Sequence, residues 1–257
     1  MNQPTRVTIV AGFLGAGKTS VLRNMISASL PQRTGVLVNE VGAVGIDGDF
    51  IAAANGQLDV QELMGGCICC TALVAFKHRL VQMLRRRPER LFVEPTGLAA
   101  IGSLRDVFAE PGIAQAVELD PILVVVNPRH WQLEHIRTQE LYQEQCSHAD
   151  IMAVSHTDCC DDELLSSFYK AHASFPLITS KHGHLETRWD TACAEPGEAR
   201  IERPRLKLSS VDGFASEAIA WSSDKVIDLG ALAAIFSSYP PPDSILRCKG
   251  NVRSHLG

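Results

Sequence analysis

A chain of 257 residues has room for one large domain and a smaller one. Its 46% hydrophobic and 21% charged residues are ordinary for a soluble globular protein, and a net charge of −5 with no dominant basic stripe argues against nucleic acid as a partner. No stretch approaches a membrane span, and the opening Met1-Asn2-Gln3-Pro4-Thr5 is too polar for a signal peptide, so neither membrane nor export is expected.

The first predicted strand is the apolar, β-branched run around Val7, Ile9 and Val10. It leads into G-F-L-G-A-G-K-T, Gly12 to Thr19, which satisfies the pattern G-x-x-x-x-G-K-S/T at every position. A helix follows, with Val21, Leu22, Met25 and Ile26 at helical spacing. Strand, glycine-rich turn and helix together make a phosphate cradle. Gly12, Gly15 and Gly17 let backbone N–H groups turn inward at a helix N-terminus, where the dipole favours anions. Lys18 is placed for the β- and γ-phosphates and Thr19 for Mg²⁺, while Ala16 and Ser20 complete the candidate binding set. The ligand this implies is a nucleoside triphosphate.

Gly35 to Asn39 is predicted as a short buried strand that delivers Glu40 to its C-terminal edge. Leu58, Val60 and Leu63 then alternate with polar residues ahead of G-G-C-I-C-C, Gly65 to Cys70. Three thiols within four residues suit a thiophilic ion such as Zn²⁺ or Cu⁺. One short turn does not aim all three sulfurs of Cys67, Cys69 and Cys70 at a tetrahedral centre. Two or three thiolates plus a His or carboxylate from elsewhere is the expected set. The alternatives are a redox cluster or buried structural cysteines. With eight cysteines in the chain, metal use in a reducing, cytoplasmic compartment is favoured over disulfides.

From Thr71 to Arg87 the spacing predicts a helix with Leu73, Val74, Leu80, Val81 and Leu84 inward, its basic end Arg85-Arg86-Arg87 complementing the dipole. Leu91-Phe92-Val93 is a further strand, ending in Glu94-Pro95-Thr96-Gly97. Glu94 takes the position of an acid that holds Mg²⁺ directly or through water. Ile122 to Val126 reads as a central strand, and Ile151 to Val154 as a weaker one before Ser155-His156-Thr157-Asp158. Repetition of strand, loop and helix implies an α/β fold, a doubly wound and mostly parallel sheet. Ligands bind outside the carboxyl ends of such strands, which is where the phosphate loop, Glu40, Glu94 and Asp158 all fall.

From about Thr187 to Pro204 the chain turns polar and irregular. This sets a main domain at 1–190, a linker at 191–204 and a small α/β segment at 205–257. The last has strand-like Leu206-Lys207-Leu208 and Ala218 to Trp221, a short helix through Leu229, Leu232, Ile235 and Phe236, and Ile245 to Gly250.

G-F-L-G-A-G-K-T, V-N-E-V-G-A-V-G-I-D-G (Val38 to Gly48), G-G-C-I-C-C and E-P-T-G-L-A (Glu94 to Ala99), in that order, resemble the CobW-type P-loop GTPases, and within them the YeiR-like branch. The resemblance spans essentially the whole chain. It implies a GTPase domain followed by a small C-terminal domain, and GTP hydrolysis coupled to handling Zn²⁺ or Co²⁺, with a client metalloprotein as partner. It also assigns Asp158 to the guanine N1 and N2 hydrogens and Lys181 to enclosing the base.

Three positions and the C-terminal segment depart from the family pattern. His156 replaces the usual lysine of the base motif, Ala43 stands where a second acid is usual, and Asn127 replaces Asp at a strand exit. The C-terminal domain stops near Gly257, soon after a segment that ordinarily opens its later half, and so reads as shortened. Glu40 has three equal readings: it orients the attacking water, contacts the cysteine-bound metal, or caps a turn. His182 and His184 are spaced i, i+2, which suits one face of a strand, so His182 joins Glu40 as a candidate fourth metal ligand. Cys159 and Cys160 are expected to pack rather than ligate. No Gln or Arg is marked by motif to activate water or to act as a finger, so slow turnover is expected. The leading expectation is therefore a GTPase that couples nucleotide state to metal at the cysteines. A metal buffer or sensor with nucleotide as a mere structural ligand is the alternative, and a small-molecule P-loop kinase is disfavoured.

Overall fold

A computed structural model describes residues 3–29, 33–38, 58–62, 70–187 and 189. Glu40, Ala43, Cys67, Cys69, the linker 191–204 and the segment 205–257 lie outside the described residues, and Cys70 is described only as the first residue of a helix. Contacts divide the chain into two compact units, Met1–Val211 and Asp212–Gly257, and every described residue belongs to the first.

Strand β1 (Thr5–Ala11) is followed by helix α1 (Lys18–Ser29), then β2 (Thr34–Val38), β3 (Leu58–Glu62) and α2 (Cys70–Arg85). Next come β4 (Arg90–Glu94), α3 (Ile101–Ala109), α4 (Pro111–Ala114), β5 (Val117–Leu119) and β6 (Leu123–Val126). The chain continues through α5 (Pro128–Gln132), α6 (Glu134–Arg137), α7 (Glu140–Ser147) and β7 (Ile151–Val154). A 3-10 turn (Thr157–Cys159), α8 (Asp162–Ala171), β8 (Leu177–Lys181) and β9 (His184–Leu185) complete the described elements. The strands form one sheet in the order β3-β2-β4-β1-β6-β7-β8-β9, with β5 also paired to β1. Among the described residues only the β8–β9 pair is antiparallel. The doubly wound α/β reading therefore holds. After β1 the chain crosses to β2 on one side, and later strands from β6 onward fill the other. The carboxyl end of β1 is thus the switch point, the place where such sheets bind ligands.

Period-two alternation explains the two cores. Along β1, Val7, Ile9 and Ala11 face one layer and Val10 the other; along β6, Val124 and Val126, with Ile122 just before the strand, face the first, and Leu123 and Val125 the second. Val21, Leu22, Met25 and Ile26 of α1 cover the second face, as their spacing predicts. At about 1.5–3 kcal/mol per fully buried apolar side chain, that stripe outweighs the helix propensity of α1 as the reason it stays docked. The stripe of α2 agrees with expectation at Leu80, with Val81 and Leu84 partly buried beside it, and differs at the helix start. Phe76, Leu80 and Met83 are the buried residues, whereas Leu73 is 39% and Val74 68% exposed. Val74 precedes Phe76 by two residues, which rotates it about 200° to the opposite face, and Leu73 lies one turn nearer the helix start.

An ionic cluster sits inside the sheet's second face. Asp120 accepts from Arg6 Nε, Thr8 Oγ1 and, at 3.1 Å, Arg90 Nη2, and the Arg90 guanidinium lies 5.1 Å from the centre of the Trp189 ring. Among the described residues no helix is long and apolar enough to cross a membrane.

Candidate functional site

The phosphate loop is built on a contact that only glycine permits. Gly12 has φ +140, and a Cβ there would lie 2.3 Å from the Val125 carbonyl oxygen of β6. Gly15 and Gly17 also have positive φ, +72 and +91. Phe13 anchors the loop from below: it is 2% exposed, and its ring meets Tyr142 edge-on at 5.7 Å. Helix α1 begins at Lys18, so the loop delivers its amides to a helix N-terminus. Lys18 is 3% exposed and its Nζ donates to the Phe13 carbonyl at 3.2 Å, which folds the ammonium back over the loop.

Pairing of β4 with β1 brings Glu94 beside this loop. Glu94 is 1% exposed, and its Oε1 accepts from the Thr19 hydroxyl at 2.8 Å. A hydroxyl and a carboxylate, both hard oxygen donors, next to a phosphate cradle fit Mg²⁺, which takes one or two protein ligands and completes its shell with phosphate and water. When bound, the ion would neutralise charge on the phosphates.

The base-motif segment leaves β7 and locks onto the same loop. Ser155 Oγ lies 2.7 Å from the Ala16 carbonyl and 3.1 Å from the Val126 carbonyl, and His156 Nδ1 lies 2.9 Å from Ser155 Oγ. His156 takes a left-handed conformation, φ 53, and its Cε1 stands 3.2 Å from where a Gly17 Cβ would sit. The histidine that replaces lysine therefore packs on the loop backbone. Asp158 follows on the exposed 3-10 turn, 3.6 Å from the Cys159 thiol. Cys160 is partly buried and donates to the His156 carbonyl, and burial pushes its thiol up; Cys159, expected to pack, is exposed.

Lys181 ends β8 at the same edge of the sheet. It is exposed and ion-paired with Glu186 at 2.8 Å, and the hydrogen bond to that carboxylate and its charge raise the lysine pKa. The expectation that His182 and His184 share a strand face is not met. The chain reverses at His182 and Gly183, both with positive φ (50 and 84), as in a two-residue type I′ hairpin. The His182 carbonyl accepts from Asn24 Nδ2 at 3.2 Å, and a Cβ on Gly183 would lie 2.6 Å from the Ser20 carbonyl, so the turn rests on α1. Among the described residues no group of three His, Cys, Asp or Glu is placed to hold a metal ion.

Two further residues border the loop: Asn127, already marked as a departure from the family pattern, and His130, which no motif announces. Asn127, at the β6 exit, is 7% exposed and its Oδ1 accepts from the Arg129 N–H at 3.0 Å, capping α5. This is a local reason for Asn at that exit. His130, one turn on, stacks edge-on against Phe13 at 6.1 Å, and its buried Nδ1 has no hydrogen-bond partner among the described residues. Burial, and then the charges of His156, Lys18 and Arg129, lower its pKa from 6.5 to about 4. Between those two values the unfolded chain binds a proton that the folded chain refuses, so this contribution is complete above pH 6.5 and is lost as pH falls toward 4. Denaturant titrations should find the parent about 2 kcal/mol less stable at pH 5 than at pH 7 from this residue, and His130→Phe should flatten that difference. An unchanged pH dependence in the variant would remove His130 as its cause.

Residues 6–175 match the CobW/HypB/UreG nucleotide-binding domain. The zinc chaperone YeiR of Escherichia coli (strain K12) is 31% identical over 188 residues, covering 71% of this chain and 57% of that protein. The zinc chaperone CobW of Sinorhizobium sp is 31% identical over 181 residues, 60% of this chain and 51% of that one. The chain thus spans about half the length of the curated relatives it matches. Among solved structures, the Zn(II)-bound YjiA GTPase from E. coli is 26% identical with a TM-score of 0.53, covering 73% of this chain and 61% of that chain.

Proposed function

We propose, from the premise that this chain belongs to the CobW/HypB/UreG nucleotide-binding family, that it is a GTP-binding and GTP-hydrolysing metallochaperone that couples nucleotide state to a bound transition metal. The carrying observation is the Thr19 hydroxyl held 2.8 Å from the buried Glu94 carboxylate, beside the buried Lys18. In this reading the amides of Gly12 to Lys18 and the Lys18 ammonium bind the phosphates. Thr19 and Glu94 hold Mg²⁺, and Ser20 adjoins the α1 N-terminus. Asp158 reads guanine, with Lys181 released from Glu186 to close over the base. Turnover is slow, since no group is marked to position water.

The cargo is Zn²⁺, or Co²⁺, held by Cys67, Cys69 and Cys70, with Glu40 or His182 as the completing ligand and a client metalloprotein as recipient. Relatives named zinc chaperones support this reading, as does the run of three thiols. Its logic is position in the chain. The cysteines fall between Glu40 and Glu94, so a rearrangement on hydrolysis reaches the thiolates.

Titrating Zn²⁺ into the apo, GDP-bound and GTP-analogue-bound protein tests the coupling. Affinities should differ between nucleotide states by about 5- to 150-fold, and Zn²⁺ must shift GTP affinity by the same factor. Cys69→Ser should weaken Zn²⁺ binding. Cys146→Ser should not, because burial pushes that thiol up to about 12 and leaves it protonated. Equal Zn²⁺ affinity in all three states with negligible turnover would leave the metal-buffer alternative in its place.

A further inference from the structure

Helix α7 carries two consecutive buried polar residues that face the segment after Glu94. Gln145 is 1% exposed, and its Nε2 donates to both the Gly97 carbonyl, at 3.1 Å, and the Ala99 carbonyl, at 2.9 Å. Glu144 is 3% exposed, and its carboxylate accepts from the N–H groups of Ile101, at 3.1 Å, and Gly102, at 2.7 Å, at the start of α3. Four backbone groups between Gly97 and Gly102 are thereby held by one turn of one helix.

From the other side Gly97 meets the phosphate loop. A Cβ on Gly97 would lie 2.8 Å from the Leu14 amide nitrogen and 2.7 Å from its side chain. The Glu94–Gly97 turn is therefore clamped between the loop that receives the phosphates and α7. Gln145 Oε1 is buried with no hydrogen-bond partner among the described residues. Burying an orphan amide oxygen is unfavourable, so a packing role alone would be served better by an apolar side chain of the same size. The fork made by Nε2 is what the glutamine adds.

Resting on the GTP reading above, we infer that Gln145 is a positioning residue for the distal phosphate: it fixes the Gly97 peptide against Leu14, so that the site tells triphosphate from diphosphate. The Gly97 carbonyl, one end of the Gly97–Leu98 peptide plane, is held by the Gln145 donor. Thr96 Oγ1 holds the other end of the same peptide, Leu98 N–H, at 3.3 Å, but from within the turn itself, so the bond that ties this peptide to α7 is the one from Gln145. Loosening the fork lets the turn retreat from the phosphate loop, while Lys18, Thr19 and the loop amides remain in place for the other phosphates.

The test is Gln145→Met, of similar length but without a donor, with affinities for GDP and for a non-hydrolysable GTP analogue measured by calorimetry in the parent and the variant. GDP affinity should stay within about twofold. Analogue affinity should fall at least tenfold, within what the loss of two buried, geometry-setting hydrogen bonds supplies. A role confined to stability would lower the melting temperature and leave the ratio of the two affinities alone, and that result overturns the inference. Gln145→Asn keeps the amide one methylene short. It should lose part of the discrimination, and it carries the test if the methionine variant does not fold. A parent that binds neither nucleotide overturns the GTP reading and this inference with it. A parent that binds both, beside variants with its own ratio, overturns only the role of Gln145.

Discussion

Lys18→Ala is expected to lower GTP affinity by about 10²- to 10⁴-fold, because two charge-assisted hydrogen bonds at about 1.5–3 kcal/mol each are lost together. The side chain is nearly as buried as a core residue, so the cation it supplies acts in a low-dielectric setting where its field on a phosphate is strong. The same burial makes the ammonium costly to the protein before any ligand arrives. Its contact with the Phe13 carbonyl offsets part of that cost. Alanine removes the cost with the contact, so the apo variant should melt no lower than the parent. Ligand should then separate them. At 100 times the parent dissociation constant, GTP stabilises the parent by about 2.7 kcal/mol and the variant scarcely at all. A thermal-shift series with and without Mg²⁺-GTP reads this directly, and equal shifts in the two proteins would remove the loop as the nucleotide site.

How much of this was legible in the sequence depended on the range of the interaction. The phosphate loop is a local device: its glycines, lysine and threonine act within eight residues, and the strand and helix around it show in their apolar spacing. Buried parallel strands such as β2, β4, β6 and β7 read as apolar runs because both faces are covered. What pattern did not reveal was made at long range or in short pieces. Helices α4, α5 and α6 have four or five residues each, too few to display a period. The Asp120 cluster joins residues over 100 positions apart, and Gln145 reaches Gly97 across 48. His182 and His184 suggested a strand because alternation was read without the turn; His-Gly with two positive φ values is a hairpin corner. In α2 the apolar spacing places Leu80 on the buried stripe and Val81 and Leu84 at its edge, but it also takes in the exposed Leu73 and Val74 and misses Phe76 and Met83.

Base selectivity is the sharper test of the guanine reading, because its effect is a reversal and not only a loss. Asp158 stands on the 3-10 turn after β7, where Ser155 ties the segment to the Ala16 carbonyl and so fixes its distance from the phosphate loop. A carboxylate in that place accepts from the N1 and N2 hydrogens of guanine; adenine presents no such pair of donors. Asp158→Asn turns one acceptor into an NH₂ donor, which would face the guanine amino group and leave both donors unpaired. Xanthine carries an oxygen at that ring position and keeps the N1 hydrogen, so the amide suits it on both counts. A site built around such hydrogen bonds rejects a mismatched partner strongly, and the GTP-to-XTP preference should swing by on the order of 10³-fold. His156, held against Gly17 in a left-handed conformation, should not disturb the swing, since it packs on the loop and leaves the exposed Asp158 carboxylate to the base. Competition binding with GTP, XTP and ATP measures all three preferences at once. If the parent prefers ATP, or if Asp158→Asn lowers GTP and XTP affinity alike, Asp158 is not the base-reading residue and the guanine assignment falls with it.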